Sequence, residues 1–244
     1  VAVSEGIAEE LHILAHIPQH KIKLIHNAVI DADFQSRAEQ PVTHRWLDDP
    51  HVPVFVTAGR LVPLKDHEAL LHALALYRRR QQGRLLVLGT GPLLHNLQAL
   101  ADELGIADAV EFLGFQENPL PFFRQAAAFV LSSYSEGFGN VLVEAMGCGT
   151  PIIATDCEHG PAEILDRGRY GRLVPPRSPQ ALAEAMATVA ELRTLWPSGL
   201  LKARAAAFST AACVAAYVKL FHSLVSSPAT GMLYQRSKPS MAEH

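Results

Sequence analysis

Two carboxylates eight residues apart stand on either side of a glycine-rich turn. Glu136 precedes a Gly-Phe-Gly turn at 137–139, and Glu144 follows it in an apolar run. Residues 127–131 are all apolar, so the order predicts a strand, a turn and a helix. The start of such a helix offers unpaired backbone N–H groups to a phosphate, and glycine lets a diphosphate approach closely. The acids would repel that diphosphate, so they are better placed to accept hydrogen bonds from hydroxyls at either end of a nucleotide-sugar.

The pattern therefore predicts a glycosyl-donor site, and the spacing of the two acids is what makes it specific. Taken singly, Glu136 would be an ordinary loop carboxylate and Glu144 an exposed helix acid. Asn140 is of a residue type that favours helix N-caps, so we expect it to cap the helix that carries Glu144.

A second loop supplies the positive charge that a diphosphate requires. Arg60 and Lys65 lie five residues apart, directly after the apolar segment 54–58. Arginine offers a fork of donors and lysine a point charge, so the two can close on one diphosphate. For this loop alone, two ordinary surface charges would be an equal explanation. Its combination with the loop at 136–140 favours the diphosphate.

The sequence Gly-Thr-Gly-Pro at 89–92 offers a different interpretation. A Gly-x-Gly between a strand and a helix is part of the dinucleotide fingerprint, and Glu111 lies at about the distance of its acidic partner. Leu94 stands where the third glycine would be. We therefore interpret the segment as a tight turn into a helix that a donor ligand can approach. An NAD-dependent oxidoreductase stays open as an unfavoured alternative.

Three other groups have the residue types of a metal or redox site but fit a structural role better. The Asp-Ala-Asp at 31–33 has no third acid or histidine nearby and is expected to be a solvated turn. His12 and His16 have the spacing of a zinc pair, but residue 13 is isoleucine where the zincin motif requires glutamate. Cys148 and Cys157 flank a strand and are expected to be small core residues.

The surrounding elements predict an α/β fold, a Rossmann-like parallel sheet with helices on both faces. Continuous apolar strands alternate with helices, as in a buried parallel sheet, and ligands of such sheets bind at the carboxyl ends of the strands. The expected strands are 54–58, 85–88, 110–113, 128–131, 151–155 and 173–174, with a further short strand at 22–25 before a polar stretch that runs to residue 53. The expected helices are 4–16, with Ser4 as its cap, 66–80, 92–104, 120–126, 140–147, a turn at 161–165, and a helical region from 179 to 225 broken near Pro197 and Ser209.

Composition limits the classes of protein that the chain can belong to. It has 244 residues, a net charge of −3 and 49% apolar residues, which supports a large core and argues against a general nucleic-acid binder. No apolar run reaches the roughly 18 residues of a transmembrane helix. Three scattered cysteines indicate a reducing compartment without a disulfide framework. Because the chain begins with valine and without a signal-peptide pattern, we expect a fragment or a processed chain.

Together these segments resemble the retaining GT-B glycosyltransferases of family four, over roughly residues 1–225. The stretch 136–144 is similar to the E-x7-E signature of that family, and Arg60 with Lys65 is similar to its diphosphate clamp. Ala28 and Asp66 depart from the family pattern, which commonly has glycine at both positions. Further matches are the segments 89–92, 112–115, 147–151 and 160–165.

The resemblance implies a role for each residue of the site. Arg60 and Lys65 would hold the diphosphate and stabilise its departing charge, and Glu136 would contact the donor sugar; these three form the catalytic set. Glu144 would accept hydrogen bonds from the ribose. The implied donor contacts are Gly59, Gly91, Gly114, Phe115, Gly137, Phe138, Gly139, Asn140 and Glu144. No metal and no cofactor are expected, because the cations and the helix start do the electrostatic work.

The resemblance also implies the partners and the location of the chain. Residues 1–20 would be the end of an absent N-terminal acceptor domain with its linker, 21–225 the donor-binding domain, and 226–244 a flexible tail. The donor would be a nucleoside-diphosphate-sugar, with UDP favoured, and the acceptor a glycan or a lipid-linked glycan of the cell envelope. The expected location is the cytoplasm, with peripheral attachment to the inner membrane through the absent half left open. A non-catalytic nucleotide-sugar-binding module and a nucleotide-sugar epimerase also stay open.

Overall fold

A six-stranded parallel sheet forms the centre of the protein in this computed structural model, which describes residues 1–226. The strand order is β3-β2-β1-β4-β5-β6, so the order reverses between β1 and β4. All five strand pairings are parallel, as the alternation of apolar strands with helices predicts. The strands are β1 (Val54–Ala58), β2 (Arg84–Leu88), β3 (Val110–Gly114), β4 (Ala128–Leu131), β5 (Ile152–Thr155) and β6 (Arg172–Val174).

Helices cover both faces of this sheet. They are α1 (Glu5–Ile13), α2 (Phe34–Ala38), α3 (His67–Arg78), α4 (Leu94–Glu103), α5 (Leu120–Gln125), α6 (Asn140–Gly147), α7 (Pro161–Ile164), α8 (Pro179–Ala187), α9 (Val189–Leu195), α10 (Ser198–Ala205) and α11 (Thr210–Val225). The predicted breaks near Pro197 and Ser209 are confirmed, because α9 ends before the first and α11 begins after the second.

Each face of the sheet has its own hydrophobic core. Because side chains alternate along a strand, Phe55 packs on the side of α3 and α8, whereas Val56 packs on the side of α5 and α6. Phe123 of α5 meets Phe129 of β4 edge-to-face, with ring centroids 5.0 Å apart. Burial on both faces explains why these strands are apolar throughout.

The segment before β1 is where the sequence-based prediction is wrong. Residues 22–25 form no strand; Leu24 makes only an isolated bridge to Ala2. The stretch expected to be polar up to residue 53 contains helix α2, and Phe34 and Trp46 are buried against the core. Single apolar residues in a polar segment give no period, although tertiary packing can bury them. Ser4 does cap α1, but the helix ends at Ile13.

The first helix after β1 contains a buried histidine whose charge state makes stability depend on pH. His67 is 6% exposed, and burial lowers its pKa from 6.5 to about 4. The folded protein therefore keeps His67 neutral, while the unfolded chain binds a proton below pH 6.5. His67 thus favours the folded state above pH 6.5, and that contribution is lost as the pH falls towards 4.

We expect His67→Leu to remove this pH dependence. Urea unfolding at pH 7 and pH 5 should show that the variant loses less stability than the original chain between the two values. The exposed His95 provides the control, because His95→Leu should leave the difference between the two pH values unchanged. An unchanged difference in the His67 variant would contradict the assignment.

Three further expectations concern the cysteines, a membrane-spanning helix and the tail. Cys148 and Cys157 are buried and Cys213 is half-buried, and none of the three is in a disulfide. Within residues 1–226, no helix combines the length and the apolar character that crossing a bilayer takes. Apart from Ser226, the tail predicted at 226–244 lies outside the described residues.

Candidate functional site

A cavity of about 300 Å³ opens at the carboxyl edge of the sheet, beside the point where the strand order reverses. Loops after β1, β2 and β3 form it together with helix α6, which follows β4. Ligands of open α/β sheets bind at this position. Its lining includes the aromatic residue Phe115. The polar and glycine residues of the lining include Gly59, Arg60, Gly89, Thr90, Gln116 and Glu144.

Backbone hydrogen bonds connect the loops that form this cavity. The N–H of Gly89 donates to the carbonyl of Gly114 at 2.8 Å, and that of Leu61 donates to the carbonyl of Thr90 at 2.9 Å. A Cβ on Gly89 would lie 1.9 Å from the carbonyl oxygen of Gly59, and one on Gly91 would lie 2.5 Å from that of Leu61. The glycines at 89 and 91 are therefore needed for loop packing, in agreement with the tight-turn interpretation.

Lys65 and Glu136 form an ion pair next to this cavity. Their Nζ and Oε1 atoms are 2.5 Å apart, and the side chains are 21% and 8% exposed. The Ser133 hydroxyl also donates to Oε1 of Glu136, at 2.6 Å. The carbonyl of Lys65 accepts a hydrogen bond from the Ser132 hydroxyl at 2.8 Å, so both ends of the residue are fixed. The sequence predicts that both cations contact a diphosphate. In the structure, Lys65 is paired with Glu136, the acid expected to bind the sugar.

Arg60 differs from Lys65 in having its side chain exposed at the cavity. It takes part in no ion pair within residues 1–226, while Glu144 lines the same cavity. An exposed guanidinium keeps its five donors available to a planar or tetrahedral oxyanion. The cavity thus has a cation and a carboxylate among its lining groups.

Glu144 is a half-buried acid of helix α6. Burial raises the pKa of its carboxyl group, and the charge of Arg37 opposes that shift. Since burial penalises the charged form, the ionised carboxylate benefits from any ligand that donates hydrogen bonds to it. Glu144 is therefore suited to accepting hydrogen bonds from hydroxyl groups.

The turn before α6 corrects one expectation about its first residue. The N-cap of α6 is Gly139, with φ +98°, and Asn140 is the first helical residue. The Asn140 side chain does not cap the helix; its Oδ1 accepts a hydrogen bond from Nδ2 of Asn27 at 2.8 Å. Glycine takes the left-handed conformation without a steric penalty, so the chain caps α6 there instead.

The aromatic residues of the predicted set have different environments. Phe138 is 3% exposed, and its ring stacks on His26 with the ring centroids 5.5 Å apart, so the side chain is packed in the core. Phe115 is 75% exposed at the cavity. Of the predicted set, the cavity brings together Gly59, Arg60, Phe115 and Glu144; Lys65, Gly91, Gly114, Glu136, Gly137, Phe138, Gly139 and Asn140 do not line it.

Contacts from the N-terminal segment to the turn at 137–139 and to helix α7 were not predicted. The Ser4 hydroxyl, expected only as a helix cap, also donates to the carbonyl of Gly137 at 2.9 Å. His26 lies 2.5 Å from Glu163, whose other carboxylate oxygen accepts from the N–H of Glu5. These partners are more than 130 residues apart in sequence, and no local pattern indicates them.

The segments considered as metal sites lie on the surface. Residues 31–33 are exposed, and Asp31 forms an ion pair with Arg37 at 2.7 Å. His12 and His16 are also exposed. Residues 1–226 contain no group of three or more His, Cys, Asp or Glu that could hold a metal ion.

The strand order and the position of the cavity define a Rossmann-like domain. Solved glycosyltransferase structures share this fold. A glycosyltransferase of Rickettsia africae aligns over 93% of this chain and 63% of its own, with a TM-score of 0.81 and 18% identity. HepE of Anabaena, solved in complex with UDP and glucose, aligns over 93% of this chain and 62% of its own, with a TM-score of 0.78 and 25% identity.

The sequence profile described as "Glycosyl transferases group 1" matches residues 44–204. The chain therefore belongs to the glycosyl transferases group 1 family, as the resemblance predicted. It is 30% identical over 188 residues to a Campylobacter jejuni N-acetylgalactosamine-N,N'-diacetylbacillosaminyl-diphospho-undecaprenol 4-alpha-N-acetylgalactosaminyltransferase, covering 77% of this chain and 49% of that protein. A D-inositol 3-phosphate glycosyltransferase of Mycobacterium sp. (strain JLS) is 38% identical over 176 residues, 68% of this chain and 39% of that protein. The chain spans about half the length, or less, of the curated relatives it matches.

Proposed function

We propose that this chain is the donor-binding part of a glycosyltransferase that takes a sugar from a nucleoside-diphosphate-sugar, with UDP favoured. The observation that carries the proposal is the cavity at the carboxyl edge of the sheet. It has Arg60 and Glu144 in its lining, and the Lys65–Glu136 pair lies beside it. A nucleoside diphosphate combines an anion with a ribose, and the two side chains of the cavity suit these two parts.

The diphosphate would lie between Arg60, Lys65 and the backbone of the turn at 137–140. Lys65 would share its charge between the diphosphate and Glu136, whose carboxylate would accept a hydrogen bond from a sugar hydroxyl. Glu144 would accept hydrogen bonds from the ribose, and the base would lie near Gly114 and the exposed Phe115. Two cations and a helix start would stabilise the diphosphate as it leaves.

Retention of configuration is part of the proposal. The acceptor hydroxyl would attack the anomeric carbon on the face from which the diphosphate departs. A phosphate oxygen of that leaving group would take the proton of the acceptor. The new glycosidic bond thus forms as the bond to the diphosphate breaks. In this scheme the basic side chains supply the electrostatic stabilisation, and no metal or cofactor is required.

The relatives support the class of substrate. HepE was solved with UDP and glucose, and the name of the Campylobacter relative describes transfer of N-acetylgalactosamine to a diphospho-undecaprenol-linked acceptor. We propose a hexose or an N-acetylhexosamine as the donor sugar and a glycan or lipid-linked glycan as the acceptor. The acceptor would bind to a domain outside this chain. The proposed location is the cytoplasm or the cytoplasmic face of the inner membrane.

A binding screen by calorimetry tests the proposal. We expect UDP and at least one UDP-sugar to bind to the 244-residue chain, and uridine, which lacks the diphosphate, to bind far more weakly. If the nucleotide base of the natural donor is guanine, GDP-sugars should compete with UDP for the site. Tight binding of NAD without binding of any nucleoside diphosphate would contradict the proposal and favour an oxidoreductase.

Glu144→Gln should weaken the binding of UDP by about 10-fold, because a neutral amide accepts weaker hydrogen bonds than a carboxylate. The loss should be smaller for 2′-deoxy-UDP, which lacks one of the hydroxyls assigned to Glu144. Calorimetry with both ligands measures the difference. Glu103→Gln, a change of an exposed acid on α4, is the matched control. Equal losses in the two variants would remove Glu144 from the ribose site.

A further inference from the structure

A second cavity, of about 380 Å³, lies at the opposite edge of the sheet, where β4 and β5 begin. Three basic side chains from three different helices line it: Arg124 of α5, Arg193 of α9 and Lys202 of α10. Within residues 1–226, no aspartate or glutamate lines it. The cavity is separate from the proposed donor site, which lies at the carboxyl ends of the strands.

The three cations have no acidic partner in the described part of the chain. Some basic side chains of this protein are paired with acids, as Arg37 is with Asp31 and Arg78 with Asp108. Arg124, Arg193 and Lys202 form no such pair within residues 1–226. Arg193 donates one hydrogen bond, to the carbonyl of Ala126 at 3.0 Å, which fixes its side chain at the cavity.

Gly149 and Cys148 lie close to the polar and basic side chains of the cavity. A Cβ on Gly149 would lie 3.2 Å from Cε of Lys202 and 1.9 Å from Oγ of Ser198, so glycine allows both side chains to approach the cavity floor. The charges of Lys202 and Arg124 act to lower the pKa of the Cys148 thiol, against the opposite effect of the Glu144 carboxylate, so both cations lie near that residue. Burial nevertheless raises the pKa of that thiol to about 12, so it supplies no negative charge at neutral pH.

We propose that this cavity binds an anionic phosphate group. Three like charges that form no ion pair within residues 1–226 repel one another, and a ligand with two negative charges removes that repulsion while gaining charge-assisted hydrogen bonds. Arginine forks and a lysine suit tetrahedral phosphate oxygens, and the Ser198 hydroxyl at the start of α10 adds a further donor. A phosphorylated small molecule and the headgroup of an anionic phospholipid both offer this chemistry. The inference does not depend on the proposed function.

The indole signals of the two tryptophans test the proposal site by site. Trp196 lines the cavity, whereas Trp46 is buried elsewhere in the core. We expect inorganic phosphate, titrated at constant ionic strength, to shift the Trp196 indole signal in 1H–15N spectra with a saturable curve and to leave that of Trp46 unmoved. Saturating UDP should not abolish the shift. Trp196→Phe assigns the signal.

Variants then separate this site from general charge effects. The double variant Arg124→Gln with Lys202→Gln should raise the phosphate concentration at half-saturation at least 10-fold. Arg79→Gln with Arg80→Gln, an equal charge change at exposed positions of the loop after α3, should leave it unchanged. A Trp196 signal that does not move, or a loss that is equal in the two double variants, would overturn the proposal.

Sedimentation with vesicles distinguishes the two sources of the phosphate. If the ligand is a lipid headgroup, vesicles containing phosphatidylglycerol should retain the chain and the Arg124/Lys202 variant should not be retained, while vesicles of phosphatidylcholine retain neither. If saturable phosphate binding occurs without retention by either vesicle, the ligand is a soluble phosphate compound. Retention that is the same for both double variants would overturn a specific lipid site.

Discussion

Replacing Arg60 with glutamine should weaken the binding of UDP to this chain by about 100-fold. The guanidinium is exposed at the cavity and forms no ion pair within residues 1–226, so all of its charge is available to the diphosphate. Charge-assisted bonds to a diphosphate are about twice as strong as neutral ones, and glutamine keeps a donor without the charge. Calorimetry with UDP measures the effect.

Uridine and a distant variant are the controls for this prediction. Uridine has no phosphate, so its weaker affinity should be the same for the original chain and the Arg60 variant. Arg80→Gln removes the same charge at an exposed position outside the cavity, and it should change UDP binding by less than about 2-fold after screening by salt. A UDP affinity that is equal in the Arg60 and Arg80 variants would exclude Arg60 from the diphosphate site.

Replacing Lys65 with methionine should lower the free energy of unfolding by about 3 kcal/mol, because it leaves a nearly buried carboxylate without its cation. Glu136 is 8% exposed in its side chain, and after the change only the Ser133 hydroxyl would remain as a side-chain partner within residues 1–226. Methionine preserves the length and the apolar stem of lysine, so packing changes little.

Neutralising the acid should restore most of that stability. In the double variant Lys65→Met with Glu136→Gln no unpaired charge remains, and the free energy of unfolding should return to within about 1 kcal/mol of the original chain. Urea unfolding of the two single variants and the double variant completes the cycle. Additive losses would show that the two side chains do not depend on each other and would contradict the pair seen in the structure.

The sequence predicts the sheet well because its strands are buried on both faces. Every strand from β1 to β6 lies within a residue or so of its predicted range, since continuous apolar runs bounded by turn residues leave little freedom. The N-terminal 53 residues are predicted less well. Phe34 and Trp46 become core residues through contacts with distant elements, which a local pattern does not contain.

The candidate site shows the same division between local and distant information. The glycine positions and the order of strand, turn and helix are local signals, and they suffice to predict that Arg60 and Glu144 lie at one edge of the sheet. The pairing of Lys65 with Glu136, 71 residues away, depends on how two loops meet and could not be predicted from either loop. The burial of Phe138 depends in the same way on His26 and Phe208.

A crystal structure of this chain with UDP tests the central claim most directly. We expect the diphosphate to lie between the side chains of Arg60 and Lys65, with backbone N–H groups of residues 137–140 directed at it. The ribose hydroxyls should be within hydrogen-bond distance of Glu144. Electron density for UDP bound elsewhere, with the edge cavity left empty, would contradict the account.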